Sequence, residues 1–320
     1  MTDREFRTEA WNRYWATGAD HSCATSFDLD GDGALPAFWR DVFTLTSSPA
    51  CVVDLGTGNG GLLRLAQAHA ARSHVAWDLI GVDLAQPRPV WADASSHLEE
   101  VRFLAATPME STGLPAASVD LLVSQYGVEY GAFGPLQDEC IRILKANSAF
   151  AFVLHSQESI ITRVAQDESV SQAFLLANGG LLSSVAGLLP HLAHIRAGAA
   201  PNRAAQQSRD AFNKAMEQGA QLAAKLAAPD LLTQTAASVQ QFLSVVNLQN
   251  QDELQARLND FRQEVASAKI RTDEQISSAM DAKGVEAFLL PFQSQGFACK
   301  IDAVEESGHL IAWAVTGRRP

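Results

Sequence analysis

The chain has 320 residues, 47% of them hydrophobic, enough for a sizeable core in one large domain or a domain with an insertion. Its formal charge is -12, so its surface repels phosphate backbones and nucleic acid is disfavoured as a general partner. Cys23, Cys51, Cys140 and Cys299 are widely separated, form no C-x-x-C pair and read as reduced thiols of a cytoplasmic protein. The charged start MTDREFRTEAW is not a signal peptide, and no apolar run is expected to reach the roughly 20 residues of a membrane helix.

Residues 1–48 read as an aromatic-rich helical leader. Trp11, Tyr14 and Trp15, at i, i+3 and i+4, share one helix face, which packs on the domain or forms a lid over a ligand. From Ala50 strands and helices alternate. CVVDL is a buried strand, GGLLRLAQAHAAR a helix, WDLIGVDLA, VRFLAAT and VDLLVSQY three further strands, FGPLQDECIRILK an amphipathic helix over 133–145, and SAFAFVLH a fifth strand. Short apolar strands alternating with helices predict a mostly parallel sheet covered on both faces. Residues 157–290 carry helical periodicity, with Pro190, Pro201 and Pro229 as helix boundaries, and read as an all-helical insertion that caps a substrate or forms a homodimer. GFACKIDAVEE and HLIAWAVTGR then predict a terminal β-hairpin. The fold class is therefore α/β, a doubly wound Rossmann-like sheet over 49–156 and 291–320 with a C-terminal antiparallel hairpin.

The turn after the first strand, Gly56-Thr57-Gly58-Asn59-Gly60-Gly61, fits two patterns. Gly56, Gly58 and Gly61 match G-x-G-x-x-G, a dinucleotide fingerprint; Asp54, Gly56, Gly58 and Gly60 match D-x-G-x-G-x-G. Asp54 lies at the strand's carboxyl end. A carboxylate there repels a pyrophosphate but favours the ammonium and sulfonium of S-adenosylmethionine. Asp83, at the end of IGVDL, is placed to accept hydrogen bonds from ribose hydroxyls under either reading, with Leu84 beside it.

Read as D-x-G-x-G-x-G, the turn resembles motif I of the class I S-adenosylmethionine-dependent methyltransferases. LPAASVDLLVSQYGVEY is similar to that family's fourth-strand segment, and the last strand of its sheet is likewise antiparallel. The resemblance covers roughly 50–155 and 292–318. It implies that Thr107, Met109 and Glu110 flank an adenine, although ATPMESTGLP lacks the family's common Asp-Ala pair, and that Ser124 and Gln125 lie near the methionine portion. With Asp54, Gly56, Thr57, Gly58, Asn59, Gly60, Asp83 and Leu84 these make the expected cofactor set.

Methyl transfer is an in-line displacement with a neutral leaving group, so the protein chiefly aligns the reactants and can supply a base for an OH or NH nucleophile. Glu129 and Tyr130, in SQYGVEYG with Gln125 and Tyr126, and His155, ending FVLHS, are the candidates; Glu129 also reads as a helix-start or solvent-facing Glu and His155 as a hydrogen-bonded core histidine. His21 is a weaker candidate on the leader. His191 and His194 lack an acid or Cys to complete a metal site. Asp28-Leu29-Asp30-Gly31-Asp32-Gly33 begins like a calcium loop, but its twelfth position is Trp39 and Pro36 interrupts it. The expected function is methyl transfer from S-adenosylmethionine to O or N of a small molecule. An NAD-dependent oxidoreductase and a non-catalytic S-adenosylmethionine-binding interaction protein are the alternatives.

Overall fold

A computed structural model describes residues 3–19, 22, 31–46, 48–87, 89, 91 and 101–319. His21, Cys23 and the Asp28–Asp30 stretch lie outside the described residues. The chain divides into two compact units, residues 1–162 with 275–320, and residues 163–274.

The first unit is built on a seven-stranded sheet of order β3-β2-β1-β4-β5-β7-β6. Its strands are β1 (Ala50–Leu55), β2 (Trp77–Val82), β3 (Val101–Leu104), β4 (Val119–Gln125), β5 (Leu144–Leu154), β6 (Ala298–Glu306) and β7 (His309–Arg318). β1 to β5 pair in parallel, and β7 enters antiparallel between β5 and β6. The doubly wound sheet and its terminal hairpin are thus as expected.

The central strands are apolar along both faces because both faces are covered. Side chains alternate, so Val52, Leu79, Leu121 and Val153 join one core with α2 (Ala34–Val42) and α3 (Gly61–Ser73). Val53, Ile80, Leu122 and Phe152 join the other, with α4 (Pro135–Ile143) and α10 (Ala282–Ser294). Helix α4 begins after Gly134 and is shorter than the 133–145 stretch predicted, because Leu144 and Lys145 already belong to β5. The first helix, α1 (Asp3–Trp15), and a single 3-10 turn after β4, Val128–Tyr130, complete the parts that matter for the site.

Helix α10 belongs to the sheet-bearing unit, although its residues up to 290 read as insertion. Val285, Phe288, Leu289 and Phe292 recur at helical spacing and are buried against the sheet. Periodicity identifies an apolar face but not the core it will meet.

The second unit is helical. It draws on α5 (Ile160–Leu176), α6 (Leu181–Arg196), α7 (Arg203–Ala223), α8 (Asp230–Ser244) and α9 (Gln251–Ser278). Its core is aliphatic and includes Leu182, Val185, Leu189, Leu232, Val239, Leu254 and Leu258. Two expectations are corrected here. Pro190 lies inside α6 rather than at a helix boundary. The stretch Ile160–Arg196 is long and apolar enough by composition to cross a membrane, with a mean hydropathy of 1.5 over its best window. It is nevertheless broken by a turn at Gly179, φ 81°, into helices of 17 and 16 residues, each short of the roughly 20 that a span needs.

Candidate functional site

β1 ends at Leu55 and the chain turns through Gly56, Gly58 and Gly60 before α3 begins. All three are left-handed, with φ of 68°, 52° and 75°, so the D-x-G-x-G-x-G spacing coincides with backbone that only glycine adopts readily. Gly61 instead opens α3. A Cβ on Gly56 would lie 2.9 Å from Gly127 Cα, in the turn after β4, and one on Gly58 would lie 2.5 Å from the Trp15 indole. The loop is thus flanked by backbone on one side and by α1 on the other.

Asp83 directly follows β2. Its Oδ2 accepts from the Gly58 N–H and its Oδ1 from the Ala85 N–H, both at 2.7 Å. Each oxygen retains a second acceptor site. Burial raises the Asp83 pKa, and these two backbone bonds oppose the rise. Asp54, inside β1, is only 2% exposed. Burial pushes its pKa to about 8 and the nearby charge of Asp83 adds to this; Thr57 opposes it, although its hydroxyl closes no hydrogen bond of good geometry. The standing carboxylate expected from the sequence is therefore mostly protonated at neutral pH in the free protein. A cation placed beside it would draw out the ionised form.

Of the other residues expected in the cofactor set, Thr107 and Met109 lie beside Asp83 and Gly56. The Thr107 N–H donates to Asp83 O at 2.9 Å. The Met109 side chain reaches toward both Gly56 and Gly131. Glu110 Oε1 accepts from the Ala132 N–H at 2.8 Å, and Leu84 is half-buried. Three side chains are committed to the protein itself. Ser124 Oγ donates to Leu55 O at 2.6 Å and accepts from the Val128 N–H at 3.1 Å. Gln125 Oε1 accepts from Trp39 Nε1, and Asn59 Nδ2 donates to the carbonyls of Trp15 and Ala19.

His155 follows β5 and is fully buried, and Glu129 is 4% exposed. Glu129 Oε1 accepts from the His155 N–H at 2.9 Å and lies 2.7 Å from Nδ1, which selects the tautomer protonated there. Tyr126 lies 4.2 Å from the imidazole, centroid to centroid, and Tyr130 meets it edge-on at 6.0 Å. Tyr130 meets Trp11 edge-on at 5.9 Å, and Trp11 stacks on Trp15 at 5.7 Å. A run of rings thus joins His155 to the indole resting on Gly58.

Among the described residues no cluster of His, Cys, Asp and Glu suits a metal ion. His194 donates from Nδ1 to Pro190 O at 2.8 Å, a local helix bond. Sequence reasoning passed over two features. Trp39 pairs with Gln125 from 86 positions away, and no spacing signals it. Tyr126 is held at φ 54°, rare for a residue with a side chain, and its hydroxyl donates to Ile311 O at 3.2 Å. The aromatic face of α1 was visible, but not where it would land.

No protein-family model and no curated protein matches the chain. Solved structures do resemble it. An S-adenosylmethionine-dependent methyltransferase from Mesorhizobium loti is 24% identical over 42% of this chain and 58% of its own, with a TM-score of 0.35. The chain thus spans less than two thirds of that structure's length. The 1,6-didemethyltoxoflavin-N1-methyltransferase of Burkholderia thailandensis, solved with 1,6-didemethyltoxoflavin and S-adenosylhomocysteine, is 12% identical over 100% of this chain and 91% of its own, with a TM-score of 0.47. A methyltransferase from Aquifex aeolicus is 18% identical over 46% and 74%, with a TM-score of 0.36.

Proposed function

We propose that this chain is a cytoplasmic S-adenosylmethionine-dependent methyltransferase acting on O or N of a small-molecule acceptor. The observation that carries the reading is the pair of acids around a left-handed glycine loop. Asp83 is tied to the Gly58 N–H and Asp54 lies buried in the adjoining strand. Asp83 suits a ligand that carries ribose hydroxyls, and Asp54, which ionises beside a cation, favours one that is cationic at one end over a pyrophosphate.

The residues present fit that ligand. Gly56, Gly58 and Gly60 provide bare backbone, and Asp83 keeps acceptor sites for a ribose diol. In this reading Asp54, Thr57, Asn59 and Leu84 complete the glycine-loop side. Thr107, Met109 and Glu110 flank the adenine, and Ser124 and Gln125 brace the methionine end. Bound S-adenosylmethionine supplies an electrophilic methyl group on a sulfonium. The chain's own task is to align an acceptor with it, exclude water and take a proton. His155 is the proposed base, with Glu129 fixing its orientation and Tyr130 closing the acceptor side. Trp15 rests where ligand must approach Gly58, so α1 serves as a lid that shifts to admit the cofactor.

Calorimetric titration of the full chain with S-adenosylmethionine, S-adenosylhomocysteine and NADH tests the reading. Micromolar binding of the first two without the third is expected; binding of NADH alone overturns it. His155→Ala should lower turnover with cofactor affinity nearly intact. Wild-type turnover in that variant would return His155 to a packing role.

A further inference from the structure

The helical unit contains an open cavity of about 630 Å³ between α6, α8 and α9, within the size range of small-ligand sites. We propose that it binds an anionic amphiphile, an acyl chain ending in a carboxylate, with Arg257 receiving the carboxylate. The proposal is independent of the methyl-transfer reading.

The walls are mainly aliphatic: Leu182 from α6, Leu231 and Val239 from α8, and Leu254 and Leu258 from α9. Val245 continues this surface and is 56% exposed, a cost the protein bears unless something apolar covers it. The polar residues lining the cavity include Gln234, Ser238 and Gln241, all exposed. Arg257 is the one charged residue of the lining. Glu253 and Asp260 lie one turn to either side of it on α9, yet Arg257 forms no ion pair or hydrogen bond among the described residues. In a chain of net charge -12, an uncommitted guanidinium beside an aliphatic wall is the complement of an anionic head on an apolar tail. The planar guanidinium matches a carboxylate through two parallel hydrogen bonds. A neutral or cationic amphiphile would leave that donor set unused.

The test is equilibrium dialysis of the full chain with radiolabelled palmitate below its micellar concentration, and with hexadecanol as the neutral counterpart. One palmitate per chain is expected, with hexadecanol about tenfold weaker. Arg257→Gln, at an exposed position that leaves folding intact, should weaken palmitate about tenfold and leave hexadecanol unchanged. Ser238→Trp, also at an exposed position, should obstruct both. Failure of palmitate to bind in the high-micromolar range overturns the proposal, as does equal palmitate affinity in wild type and Arg257→Gln. Self-association that Ser238→Trp abolishes and palmitate does not compete with would assign the cavity to a second copy of the chain, and would also overturn it.

Discussion

In the sheet-bearing unit the buried polar side chains include Asp54, Glu129, Glu139 and His155; in the helical unit they are Ser171, Gln172, Ser184, Thr235 and Thr272, none of them charged. Burying a charge is expensive, so a chain does it only where partners or ligands offset the cost. The acids themselves differ. Burial pushes Glu139 upward, but hydrogen bonds from Arg142 and Thr112 outweigh it and leave the pKa lowered. Asp54 has only Thr57 to oppose burial, faces the charge of Asp83 instead of an arginine, and is raised to about 8. The compensated acid is a structural tie between α4 and the Thr112 turn. The less compensated one stands beside the glycine loop, and under the proposed function the cationic end of the ligand would supply what the protein withholds.

That contrast can be broken experimentally. The largest effect is expected for Glu129→Ala, which strands the buried His155 donors and should cost about 3 kcal/mol or more of unfolding free energy in denaturant titrations. A change below 1 kcal/mol would mean that the pair is not the tie described here. Gly56→Ala puts a Cβ against Gly127 at positive φ and should destabilise by about 2–3 kcal/mol. For Asp83→Ala, calorimetry should read a loss of about 2 kcal/mol in S-adenosylmethionine affinity; unchanged affinity removes Asp83 from the site.

Asp54 sharpens the comparison through pH. Its folded pKa lies above its unfolded value, so the folded state holds a proton that the unfolded state has released. The stabilisation is complete below about pH 4 and is lost as pH rises through about 8, at up to about 1.4 kcal/mol per pH unit. Thermal unfolding from pH 5 to 9 should show this slope in wild type and a flatter one in Asp54→Asn. The affinity for S-adenosylmethionine should rise with pH over the same window, because binding favours the ionised acid. The smallest effect is expected in the helical unit. Ser184→Ala removes only a local bond to Leu181 O and should cost less than about 1 kcal/mol.

The strands β1, β4 and β5 were legible because parallel strands covered on both faces read as short apolar runs, and the glycine turn because positive φ is nearly a glycine privilege. The landing of α1 was not legible. Trp11, Tyr14 and Trp15 declare an apolar face, but nothing local says that Trp15 meets Gly58. The membership of α10 was hidden for the same reason. The protonation of Asp54 was hidden too, since it depends on the depth of burial rather than on residue type. The Trp39–Gln125 bond joins side chains remote in sequence, and no periodicity encodes such a pair.

The placement of β7 between β5 and β6 carries a consequence for how the chain is made. Ala149 in β5 finds its antiparallel partner in Arg318, about 170 residues later. At the pace of translation, roughly 5–20 residues per second, β5 waits on the order of ten seconds or more with its edge uncovered while the helices are synthesised. An exposed apolar strand edge is a template for aggregation. The nascent protein therefore passes through a vulnerable interval whose length is set by the helical segment, and shortening that segment should raise the soluble yield at high expression.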